Sequence, residues 1–179
     1  MNKLFCLIVM FVACGVCEGQ NLVPNWSFEN YTSCPTQLGQ VDSVLDWFQV
    51  TQSPDYFNSC AVIGTSVPNN GVGYQLPVSG NAYCGMICYY PNSAREYIGT
   101  HLTSTLVVGQ KYFVSFNLCL ANNFYLVGSN KFGCKFSKVP FIYNSVLPDN
   151  QASYYDDSII TDTLNWTFIK GSFIADSAY

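Results

Sequence analysis

The segment KYFVSFNLCLA, residues 111–121, constrains the fold more than any other. Tyr112, Val114, Phe116, Leu118 and Leu120 alternate with Lys111, Phe113, Ser115, Asn117 and Cys119. A period of two held over this length describes an extended strand with one face in a core. A helix would scatter the same residues around its circumference. Residues 44–48, 82–90, 96–102, 131–136 and 165–174 also read as extended, with Gly85 and Gly171 marking expected bulges in two of them. Turn clusters separate these runs: Ser53-Pro54-Asp55, Pro68-Asn69-Asn70-Gly71, Pro77 to Asn81, Pro91-Asn92-Ser93, Val108-Gly109 and Pro148-Asp149-Asn150. Composition agrees, with 13 Tyr and 13 Phe against 10% charged residues, so strand formers outnumber good helix formers. No window carries a sustained three-to-four apolar rhythm, and any helix is expected to be short. The prediction is an all-β sandwich or barrel, one domain over residues 20–179, without repeat or linker.

The N-terminus, MNKLFCLIVMFVACGVCEG, places Lys3 before an apolar run from Leu4 to Val16 and small residues at Cys17 and Gly19. This is the layout of a secretory signal peptide over residues 1–19, with cleavage before Gln20. The run is short of the roughly 20 residues a membrane-spanning helix needs. Lipoprotein processing at Cys14 or Cys17 is the alternative, weakened by Phe11 where a Leu is expected before Cys14. Cys14 and Cys17 form a C-x-x-C pair, which carries no redox meaning inside a leader. The last residues, FIADSAY, directly follow a strand pattern, which predicts a fragment with further strands after Tyr179.

Beyond Cys6, Cys14 and Cys17, six cysteines remain: Cys34, Cys60, Cys84, Cys88, Cys119 and Cys134. In an exported chain these point to disulfides, and six allow 15 pairings. Cys34–Cys60 is the preferred bridge, because both lie in turn-rich sequence flanking one predicted strand. Cys84 and Cys88, four apart on a predicted strand, share a face but cannot bond each other without a bend. Zinc is the competing explanation, yet no C-x₂-C pair follows the leader and His101 is the one histidine. The net charge of −4, with seven Lys and Arg scattered singly, leaves no basic stripe for nucleic acid.

The start of the mature chain, QNLVPNWSFENYTSCP, resembles a family of exported Bacteroidota domains that open Asn-Leu-Val-Pro-Asn-Pro-Ser-Phe-Glu before a Ser-Cys-Pro loop. GQVDSVLDWFQVTQSPDYFNSCA, VPNNGVGYQLPVSGNAYCGMICY, REYIGTHLTSTLVVGQKYFVSFNLCLA and NWTFIKGSF look like successive blocks of the same family, so the resemblance spans residues 21–173. Such domains are similar to carbohydrate-binding modules with a galactose-binding-like jelly roll. They often precede an outer-membrane-protein-A-like or secretion-sorting domain. Trp26, where the family has Pro or Gly, and the extra thiols Cys84, Cys88 and Cys119 are departures; the latter imply an additional bridge. The resemblance also implies a structural calcium, held by Glu29 and the Asn25 carbonyl together with oxygens beyond Tyr179. Calcium's need for six to eight oxygens makes a carboxylate beside turn carbonyls chemically sensible. The competing reading of Glu29 is a solvated residue at a strand end.

Sugar recognition pairs an aromatic face with amides and carboxylates that read hydroxyls. Three loop clusters have this composition: Tyr89 and Tyr90 with Asn92 and Arg95; Phe124 and Tyr125 with Asn122 and Asn123; Tyr154 and Tyr155 with Asp156 and Asp157. Ordinary packing competes for each, since most aromatic residues must be core. Catalytic signals are weaker. Asp156 and Asp157 are adjacent and would point to opposite faces of a strand, and His101 lacks a G-x-S-x-G elbow or a reactive cysteine context. Three sequons, at Asn25, Asn30 and Asn165, matter only in a eukaryotic secretory route. The expected function is an exported, non-catalytic module at the cell surface or outer membrane that binds carbohydrate or cell-envelope glycan. A structural module that displays a neighbouring domain is the alternative, predicting no exposed aromatic platform, and a glycan hydrolase the second, predicting a cleft with two facing carboxylates.

Overall fold

The computed structural model describes residues 19–51, 53–89, 95–123, 127–139 and 151–179. The regular structure of the described chain is all strand apart from one turn of 3-10 helix at Val41–Ser43, and loops connect the strands. The strands are β1 (Trp47–Thr51), β2 (Asp55–Asn58), β3 (Asn69–Asn70), β4 (Gly73–Tyr74), β5 (Ala82–Gly85), β6 (Tyr97–Thr100), β7 (Lys111–Leu118), β8 (Phe132–Cys134), β9 (Tyr154–Asp156) and β10 (Thr167–Ile174). Every pairing among them is antiparallel and nested. β1 pairs with β6, β2 with β5 and β3 with β4; β7 pairs with β10 and β8 with β9. Each set is a long hairpin folded back on itself, which keeps partners antiparallel without crossover helices.

The all-β expectation holds, and its misses have physical reasons. β2 begins at Asp55, inside the expected Ser53-Pro54-Asp55 turn. Tyr56 and Phe57 in it are both fully buried, so no inside-outside alternation marks the strand. β5 stops at Gly85 instead of continuing through the expected run, because the backbone at Ile87 turns toward Glu96. The Ile87 N–H donates to the Glu96 carboxylate at 2.8 Å, and the Glu96 N–H donates to the Ile87 carbonyl at 2.8 Å. No bulge occurs at Gly171, where the register with β7 is continuous. A Cβ there would collide with the Tyr154 ring, so close approach explains the glycine.

The core of the first set gathers Val44, Tyr56 and Ala82, with Phe28, Trp47 and Cys84 packed against them. The Tyr56 hydroxyl donates to the Phe28 carbonyl at 2.9 Å and accepts from Asn58 Nδ2 at 2.7 Å. Cys34 and Cys60 form the expected disulfide, tying the loop before β1 to the turn after β2. The two sets join through Trp166, whose ring meets Tyr83 edge-on at 5.6 Å and whose Nε1 donates to the Leu76 carbonyl at 2.7 Å. No helix among the described residues is long and apolar enough to cross a membrane.

Candidate binding face

The β7 and β10 strands form an eight-residue ribbon whose two faces differ. Tyr112, Val114 and Phe116 lie opposite Phe173, Gly171 and Ile169 on the inner face. Phe136 stacks on Phe173 at 4.5 Å, and Tyr154 lays its ring on Gly171 while its hydroxyl donates to the Lys170 carbonyl at 2.8 Å. The β8/β9 hairpin thus covers this side. The outer face carries Lys111 opposite Ile174, Phe113 opposite Ser172, Ser115 opposite Lys170, and Asn117 opposite Phe168. Phe113 is 81% exposed and Phe168 57%. Between them runs a shallow trough of about 510 Å³, lined by Phe113, Ser115, Phe168, Lys170 and Ser172 among others. Each ring has a cation beside it: Lys111 Nζ lies 5.5 Å from the Phe113 centroid and Lys170 Nζ 6.0 Å from that of Phe168.

The alternation over residues 111–121 puts Phe113 in the solvent-facing row with Lys111, Ser115 and Asn117. An aromatic residue among Lys111, Ser115 and Asn117 was the available signal. Its partner Phe168 required the register with β10, which sequence does not give.

The sequence-predicted clusters are only partly assembled. Tyr89 and Arg95 are exposed, while Tyr90 and Asn92 lie outside the described residues. The Asn122 side chain is spent on structure: its Oδ1 accepts the Tyr74 N–H and its Nδ2 donates to the Tyr74 carbonyl, each at 3.0 Å. Asn123 is exposed and donates its N–H to the Val72 carbonyl; Phe124 and Tyr125 lie outside the described residues. Tyr154 packs on the ribbon as above, Tyr155 is 41% exposed, and Asp156 caps the following turn by accepting the Ser158 N–H at 2.8 Å. His101 is exposed beside the Phe48 ring.

At the N-terminal corner, Asn25 Nδ2 donates to the carbonyls of Asn30 and Leu45, both at 2.8 Å. The Asn25 carbonyl accepts the Phe28 N–H and Trp47 Nε1–H. Glu29 accepts the Asn81 N–H at 2.7 Å and its side-chain amide at 3.3 Å. In the structure these oxygens all accept hydrogen bonds from the protein. Among the described residues no three His, Cys, Asp or Glu side chains converge as a metal site.

Two carboxyl groups lie within electrostatic reach of each other inside the first set. Glu96, 6% exposed, accepts from Ile87 N–H, from Ser53 N–H at 3.3 Å and from Ser53 Oγ at 3.2 Å. Asp55 accepts the Gly39 N–H at 2.7 Å. Burial, helped by the Glu96 charge and opposed by the Gly39 hydrogen bond, pushes Asp55 up to about 6. The donors around Glu96 are those of a structural tie. Cys84, Cys88, Cys119 and Cys134 are free thiols, and burial pushes each upward, Cys88 to about 12 and Cys134 to about 11. They stay protonated near neutrality and are poor nucleophiles. No protein-family model, no curated protein and no solved structure matches the chain.

Proposed function

We propose that this chain is an exported, non-catalytic module of jelly-roll type, displayed at the cell surface or outer membrane, that binds carbohydrate through the outer face of β7 and β10. The observation that carries the reading is the pair Phe113 and Phe168, left in solvent on a regular ribbon with hydroxyl and amino groups between them. Rings of this kind stack against the apolar side of a sugar while neighbouring polar groups fix its orientation. A spacer module has no use for such a surface, which favours binding over display alone. The nested strand order supports a jelly roll, and the Cys34–Cys60 bridge is compatible with export. Calcium at Asn25 and Glu29 is not needed for this reading.

A glycan array probed with the purified protein, with and without calcium, tests it. Binding to defined glycans is expected, with loss in the F113S/F168S double variant. A clean negative in both conditions, or binding indifferent to the double variant, overturns the assignment.

A further inference from the structure

The outer groups of the β7/β10 ribbon are ordered as well as exposed. Register places Lys111 and Ile174 at one level, Phe113 and Ser172 at the next, then Ser115 and Lys170, then Asn117 and Phe168. Along the ribbon the ligand-facing groups therefore run cation, ring, cation, ring, with the second pair supplied by the opposite strand. Neighbouring levels are two residues apart, so the lysine-phenylalanine pair repeats after about 14 Å of strand, longer than one pyranose ring. Neither KYFVSFNL nor TFIKGSFI contains an Asp or Glu, in a chain whose net charge is −4. The ribbon is a cationic strip on an acidic protein.

Resting on the carbohydrate reading above, we propose that this face takes an acidic saccharide polymer, one ring stacking on each phenylalanine with its carboxylate or sulfate beside the adjacent lysine. Charge complementarity supplies the sign of the ligand, and the repeat supplies its polymeric form. Ser115, lying between the rings, and Ser172, opposite Phe113, suit hydroxyl-bearing units rather than an acyl chain, which would require an uninterrupted apolar surface.

Affinity electrophoresis of the purified protein in gels holding polygalacturonate, dextran sulfate, or neutral dextran and galactan tests this, with Tm recorded for every variant. Retardation by one or both acidic polymers, and by neither neutral one, is expected. The acidic arms separate carboxylate from sulfate. Binding should weaken in about 1 M salt, where the Debye length falls to about 3 Å. The K111Q/K170Q variant should keep its Tm and lose about tenfold in affinity. Equal binding to neutral polymers, unmoved by salt or by K111Q/K170Q, overturns the acidic ligand while leaving the carbohydrate reading intact. Binding to no polysaccharide overturns both. Retention on anionic phospholipid vesicles without polysaccharide binding overturns the saccharide in favour of a membrane surface.

Discussion

The two nested sets of strands differ in what they bury. The first set, β1 to β6, buries polar side chains: Asn58, Thr65 and Glu96 are 2%, 0% and 6% exposed, and each is hydrogen-bonded. The second set, β7 to β10, buries no polar side chain among the described residues and lines up two exposed rings, Phe113 and Phe168, on one regular face. Buried polar groups cost free energy unless every partner is in place, so they hold one arrangement of the surrounding loops. An exposed ring contributes little to folding and remains available to a ligand. The contrast puts the buried polar ties in one half of the molecule and the face proposed for binding in the other.

The sharpest way to break the first half is to remove its crosslink. Cys34 and Cys60 are separated by 26 residues, and closing a loop of that size stabilises by about 3.5 kcal/mol in the chain-entropy account. The C34A/C60A variant should melt about 7–14 °C lower, the scale set by a domain of this size. Glu96→Ala should cost nearly as much, about 3 kcal/mol, since Ile87 N–H, Ser53 N–H and Ser53 Oγ all lose their acceptor. Glu96→Gln keeps an acceptor oxygen and should recover part of the loss. Both effects are read from denaturant titrations.

A smaller and oppositely signed effect is expected at Asp55. Its folded pKa, raised from 3.8 to about 6, means the folded state holds the proton more tightly than the unfolded chain. That contribution is fully present below about pH 4 and is lost as pH rises through 6. Asp55→Asn retains an oxygen for the Gly39 N–H and carries no charge. It should match the parent near pH 4 and exceed it at pH 7.5 by about 1 kcal/mol, after allowance for solvent at a partly exposed group. Melting curves across pH 4 to 8 check the crossover, and a variant less stable at every pH would show that Asp55 has another partner.

Sequence carried the second half of the molecule better than the first. The alternation at residues 111–121 gave β7 to within three residues, and the aromatic run at 165–174 gave β10 to within two. Both are amphipathic, and a one-sided strand writes its period into the chain. β2 was hidden for the opposite reason: Tyr56 and Phe57 are buried on both faces, and Pro54 just before them imitates a turn. Three-residue β9 is too short to show any period. The Cys34–Cys60 bridge was readable because its two loops flank a single stretch of chain. The proposed binding face was half legible, in Phe113, and its completion by Phe168 and Lys170 depends on long-range pairing that local sequence does not encode.

The central claim is that the outer β7/β10 face is a free surface and no part of the core. The thermal stability of the F113S/F168S double variant measures this directly. A surface role predicts a Tm within about 4 °C of the parent, because substitutions away from packed groups change stability by no more than about 0.5 kcal/mol each. A fall of about 10 °C or more, the cost of emptying two buried aromatic sites, would show that these rings pack inside the folded protein and would contradict the account.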